Sequence, residues 1–199
     1  MDIRFSGKSI ELKKELNSLD SFVINFTDIL NKLDINYVVV SGYVSILFGR
    51  SRNSEDIDLI IEEMDIDKFT ELWNALCKDF ECIITDSIKD AYNSYLCNKN
   101  AIRFSFKGEF IPNMEVKFPF TELDKWVLDN KIKVALNKKS FYISPIELQI
   151  SYKLFLGSEK DIEDARFLYK LFFERLDLDL LDKFNQKLKI RDNLLRYLE

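Results

Sequence analysis

The chain has 199 residues, 47% hydrophobic and 32% charged, with a formal net charge of −5, a length and balance that suit one domain with an appendage, or two small subdomains, around a real core. It contains no histidine, which excludes Ser-His-Asp and Cys-His catalysis, His-ligated zinc and His as a general base, and leaves acid–base or metal chemistry to carboxylates, lysines, tyrosines or thiols. No apolar run approaches the length of a membrane span, no signal peptide is read at the start, and the negative balance gives no global pull toward nucleic acid.

Residues 1–16 read as the start of a charged helix, and residues 9–33 as a helix with Leu16, Leu19, Phe22, Val23, Phe26, Ile29, Leu30 and Leu33 at three- and four-residue steps. Tyr37 to Val40 is a buried strand ending at Ser41-Gly42. A short apolar helix over 43–49, a polar loop from Arg50 to Glu55 and a strand over 56–61 follow. A helix at 65–80, a strand at 82–85 and a helix at 87–97 come next. The pattern then predicts strands at 102–107 and 114–118 joined through Gly108, and strands at 131–136 and 140–143 around Asn137-Lys138-Lys139.

From Ser144-Pro145 onward the pattern is helical, over 145–156, 159–175 and 178–197. Ser144 is an N-cap candidate, with Pro145 at the first position and Glu147 three after the cap. The expected organisation is mixed α/β over residues 1–143, including an N-terminal helix over 1–34, then a helical subdomain over 144–199. Lys and Arg number 14 against 20 Asp and Glu in residues 1–120, and 15 against 14 in residues 121–199, so an anionic ligand is better accommodated by the C-terminal part. Cys77, Cys82 and Cys97 have no metal-ligand spacing and read as thiols of a reducing cytoplasm.

The densest chemical signal runs from Ser41-Gly42 to Asp58. A strand that ends in Ser-Gly and feeds a helix offers free backbone N–H groups to an anion, and glycine lets a phosphate come close. Asp56 and Asp58 are two apart on a strand, so both project from one face. Two like charges there repel, and a hard divalent cation resolves the repulsion. Arg50, Arg52 and Ser54 precede them and reach toward phosphate oxygens.

This order resembles the signature of the DNA-polymerase-β-like nucleotidyltransferases: a Gly-Gly or Gly-Ser turn, a helix, then D-x-D on the next strand. It is closest to the abortive-infection toxin branch, with Arg52-Asn53-Ser54-Glu55-Asp56-Ile57-Asp58 matching R-x-T-x-D-I-D except that Ser54 stands for the usual Thr. Ser41 stands for the first glycine and is followed by the bulky Tyr43. The resemblance implies an α+β fold, a small mixed β-sheet nucleotidyltransferase core flanked by helices with the C-terminal helical subdomain. It implies a third carboxylate on a neighbouring strand, for which Glu115 is the candidate beside Asp56 and Asp58 as metal ligands. Ser144-Pro145, Lys153 and the Lys160-Asp161-x-x-Asp164 run resemble later motifs of that branch. They imply that Lys153 contacts the triphosphate and that Asp161 orients the attacking group or acts as base.

The function so implied is magnesium- or manganese-dependent transfer of an NMP from a nucleoside triphosphate to an acceptor, in a toxin–antitoxin-like setting with a cognate antitoxin as partner. Asp56, Asp58, Glu115 and Asp161 are the catalytic candidates. Ser41, Gly42, Arg50, Arg52, Ser54 and Lys153 are the nucleotide-binding candidates. The acceptor stays open between the 3′ end of tRNA and a protein; Lys131, Lys133, Lys138 and Lys139 are a basic run that would serve RNA. Two rivals stand beside it. One is a nuclease built on Asp86 and Glu115-x-Lys117. The other is a degenerate antitoxin or binding module, favoured by Tyr43.

Overall fold

The computed structural model describes residues 2–6, 9–190 and 197–198. In chain order the elements are β1 (Asp2–Ser6), β2 (Ser9–Lys13), α1 (Ser18–Lys32), β3 (Tyr37–Val40), α2 (Gly42–Leu47), β4 (Asp56–Ile61), α3 (Ile66–Leu76), β5 (Phe80–Cys82), α4 (Ile88–Asp90), β6 (Ile102–Phe106), β7 (Asn113–Lys117), α5 (Glu122–Asp129), β8 (Ile132–Leu136), β9 (Lys139–Ile143), α6 (Ile146–Leu156), α7 (Glu159–Phe172) and α8 (Leu178–Leu188). The strands form one mixed sheet in the order β1-β2-β8-β9-β3-β4-β7-β6-β5.

β3 and β4 sit at the middle of the sheet because nearly every residue in them is an apolar, mostly β-branched side chain that a doubly covered strand can bury. Tyr37, Val39, Ile57, Leu59 and Ile61 face the larger core, beneath α1 and α3. Val38 and Ile60 face a second, smaller core made with Val127, Leu128, Leu148 and Phe184 of α5, α6 and α8. Alternation therefore puts Asp56 and Asp58 on the face of the smaller core.

The expected helix over residues 1–16 and 9–33 is corrected at its start. Residues 9–13 are a strand, with Ile10 and Leu12 buried, paired with β1 in antiparallel and with β8 in parallel register. Ile10 and Leu12 alternate with Ser9, Glu11 and Lys13, a two-residue period that a helix cannot bury on one face. The helix begins at Ser18, where Asn17 and Asp20 form a reciprocal capping box.

Three further readings change. Ser144 does not cap α6: its hydroxyl donates to Gln149 Oε1 at 3.1 Å, and Pro145 holds the cap position. The Glu147 carboxylate accepts instead from the backbone N–H of Asp177. Helix α5 was not read from the sequence, although Thr121 and Asp124 form a capping box at its start. α8 ends at Leu188, with Lys189 in the left-handed region at φ 57°; of the helix expected to 197, residues 191–196 lie outside the described residues. Among the described residues no helix is long and apolar enough to cross a membrane. The three cysteines are free thiols, Cys97 exposed and the other two half-buried.

Candidate active site

Strand register assembles the acidic cluster. β3 and β4 are antiparallel with Val40 opposite Asp58, and β4 and β7 are parallel with Asp58 opposite Glu115 and Asp56 opposite Asn113. Asp56, Asp58 and Glu115 thus share one sheet face, beside the end of β3 where the chain turns through Ser41 into α2. Asp56 is exposed, and Asp58 and Glu115 are half-buried. Burial pushes the Asp58 carboxyl above the ordinary carboxylate value; the Ser41 hydroxyl and the Lys117 ammonium pull it down, and the charges of Glu115 and Asp56 push it up.

Ser41 sits at φ 65°, ψ −138°, backbone that glycine adopts freely and a side chain strains. Its carbonyl accepts a hydrogen bond from Gln149 Nε2 of α6, which ties the turn to the helical part of the chain. Gly42 is buried, and the space its missing β-carbon leaves is filled by Arg52: a β-carbon there would lie 3.1 Å from the Arg52 guanidinium. The close approach expected for a phosphate is made here by an arginine.

Arg50 and Arg52 converge on Asp164, which is fully buried on α7. Lys153 of α6 adds a third cation, 3.2 Å from Asp164 Oδ2, and also pairs with Asp161. Arg50 further pairs with Glu163 at 2.8 Å and donates to the Lys160 carbonyl. Three cations are met by Asp161, Glu163 and Asp164, so Arg50, Arg52 and Lys153 do not stand open to solvent as a phosphate-neutralising set. Burial raises the Asp161 carboxyl, but the hydrogen bonds from Lys153 and Ser158 and the charges of Lys153 and Arg52 bring it below its ordinary value. Among the described residues Arg52 Nε is buried without a hydrogen-bond partner.

The remaining sequence candidates are placed as follows. Ser54 donates its hydroxyl to the Asp56 carbonyl at 2.9 Å, which braces the loop before β4. Tyr43 is fully buried and donates its hydroxyl to Asp20 at 2.8 Å, away from the carboxylates. Lys131 lies 3.9 Å over the Tyr142 ring and donates to Asn36, and Lys139 pairs with Asp28, so two members of the basic run are engaged. A cavity of about 70 Å³ adjoins Ser41, with Val40, Lys117, Asp124, Gln149 and Tyr152 among its walls.

Two residues with clear contacts escaped the sequence reading. Asp164 had a signal, the second acid of the Lys160-Asp161-x-x-Asp164 run, but not its buried role. Arg103 had none. It lies opposite Glu115 across β6 and β7, and its Nε and Nη2 both donate to Glu115 Oε2, at 3.0 and 2.6 Å. Among the described residues no three His, Cys, Asp or Glu side chains are grouped so as to hold a metal ion. Asp56 and Asp58 fit a hard cation by their chemistry, and burial first and then the charges of Glu115 and Asp56 lift the Asp58 carboxyl. Glu115 is bound to Arg103 instead.

No family model matches the chain, and no curated protein matches it in sequence. Solved structures do match in fold. An antigenic nucleotidyltransferase-like protein from Paracoccidioides brasiliensis aligns at 19% identity and a TM-score of 0.54, over 89% of this chain and 90% of that one. The antibiotic-resistance factor ANT(2″)-Ia aligns at 9% identity and a TM-score of 0.50, over 88% of this chain and 94% of that one. At these identities the likeness establishes a shared fold.

Proposed function

We propose that this chain is a nucleotidyltransferase that moves an NMP from a nucleoside triphosphate to an acceptor hydroxyl. The observation that carries the reading is the placement of Asp56 and Asp58 on one face of β4, against the strained Ser41 turn at the end of β3. A fold shared with a nucleotidyltransferase-like protein supports it.

Asp56 and Asp58 would hold a magnesium or manganese ion, which supplies positive charge to the triphosphate and its leaving pyrophosphate. The chain's own residues do the rest. Ser41 presents its hydroxyl beside Asp58, where it draws the carboxyl toward its charged form. Lys153 and Arg52, neutralised by Asp164 and Asp161, brace the Gly42 turn from behind and fix the position of Ser41 beside Asp58. Asp161, already ionised and oriented by Lys153 and Ser158, stands beside those cations.

The acceptor classes are the 3′ end of tRNA and a partner protein, in a toxin–antitoxin-like setting. The rivals lose ground on particular residues. Tyr43, which favoured a degenerate binding module, is committed to Asp20 in the core. Asp86, which a nuclease would require, follows β5, and β6 separates that strand from Glu115 and Lys117 on β7. The test is incubation with each α-labelled triphosphate, magnesium, cell RNA and cell protein. Label should enter one fraction with the wild type and neither with Asp58→Asn; equal labelling by that variant would overturn the assignment.

A further inference from the structure

We propose that the carboxylate face is built for a single divalent cation, held by Asp56 and Asp58, with the Arg103 guanidinium standing on Glu115 in place of a second. This rests on the reading of Asp56 and Asp58 given above. It departs from the expectation, implied by the sequence resemblance, that Glu115 is a third metal ligand.

The sheet ladder sets the geometry. Asp58, Glu115 and Arg103 are register partners across β4, β7 and β6, so their side chains stand in a row on one face. Arg103 is fixed there because its neighbours on β6, Ile102 and Phe104, are buried in the larger core. Its two donors meet one carboxylate oxygen, Glu115 Oε2. The charges of Asp56 and Asp58 act on Arg103 as well as that of Glu115, which places the guanidinium within the acidic cluster.

Charge excludes the second ion. A guanidinium does not deprotonate in a protein, so it leaves Glu115 only by moving away. A dication on the other Glu115 oxygen would share one carboxylate with a fixed positive charge, and the two repel. The carboxylate charge that would draw it is already spent on Arg103. The Arg103 and Glu115 side chains are 45% and 24% exposed, so salt screens the pair and the ion count is read at low ionic strength.

The experiment counts ions, using Mn²⁺ alone as the probe and the EPR signal of free Mn²⁺ as the readout, on the full chain. Wild type should bind one equivalent and Asp58→Asn none. Arg103→Gln should bind two, and Arg103→Gln with Glu115→Gln should return to one. Glu115→Gln alone should keep one equivalent with little change in affinity. Two equivalents on the wild type overturn the inference, as does an affinity loss of about tenfold or more in Glu115→Gln, the size expected when a ligand or its direct support is removed. An Arg103→Gln protein that melts like wild type yet still binds one also overturns it. No binding by wild type, or unchanged binding by Asp58→Asn, removes the parent reading itself, and is distinguished by involving Asp58 and not Arg103 or Glu115.

Discussion

The guanidinium of Arg52 rests on the α-carbon of Gly42, so close that a β-carbon there would lie 3.1 Å from three of its atoms. Arg52 cannot easily give way, because Asp164 holds its Nη1. Gly42→Ala should therefore destabilise the fold by about 1–3 kcal/mol, the range for forcing extra volume into a packed site. The loss should shrink when Arg52→Ala is already present, since the clash is then gone. Urea denaturation of both single variants and the double variant measures the coupling. Additive losses would show that the contact does not matter.

Asp164 is the anion on which the loop 50–52 and the helices α6 and α7 meet. Asp164→Ala leaves Arg50, Arg52 and Lys153 without their common partner, and removing one member of a buried ion network typically costs about 3–5 kcal/mol. Asp161→Ala should cost less, since Lys153 keeps Asp164 and Asp161 is less buried. Chemical denaturation of the two variants gives the order. An Asp164→Ala loss below that of Asp161→Ala would contradict the hub.

The central strands were legible because local pattern and final environment agree. Val38, Val39, Ile60 and Ile61 are apolar at every position, and alternation alone puts Asp56 and Asp58 on one face. What stayed hidden depends on contacts between distant segments. The strand at Ser9–Lys13 exists because β8, more than a hundred residues later, lies beside it. Arg103 meets Glu115 only through the register of β6 on β7, and Arg50 and Arg52 find Asp164 across more than a hundred residues. The sequence motifs named Arg52 and Lys153 as phosphate contacts and Asp161 as a base or orienting group, but no spacing rule could reveal that Asp164 already binds the cations.

Ser41 stands where glycine would carry no strain. A side chain in such sparsely populated backbone costs of order 1–3 kcal/mol, and glycine's extra unfolded-state freedom returns roughly 0.5–1 kcal/mol of that. Ser41→Gly should thus raise stability by about 1 kcal/mol. It also removes the hydroxyl that draws the Asp58 carboxyl down, so the variant should melt higher while ionising Asp58 less readily. A thermal melt at neutral pH checks the first effect; a lower melting temperature would mean that the Ser41 hydroxyl outweighs the backbone strain.

Asp58 carries a conflict between stability and function. Its carboxyl lies above the ordinary value when folded, so the folded state holds this proton more tightly than the unfolded chain does. Stability from this group is therefore greatest below the unfolded value of 3.8. It falls as pH rises toward the folded value, and above that the penalty is constant. In chelator at pH 7, Asp58→Asn removes that penalty and should melt higher than wild type. Below the unfolded value the advantage should vanish, because wild-type Asp58 is then protonated in both states. Adding Mn²⁺ at pH 7 should reverse the order by raising the wild-type melt and leaving the variant where it was, since an ion that binds only the folded state stabilises it by mass action. Melts of the two proteins across pH, with and without Mn²⁺, read all three effects. A variant that melts lower than wild type in chelator at pH 7 would mean that Asp58 is held by favourable partners that outweigh its burial and its crowding with Glu115 and Asp56.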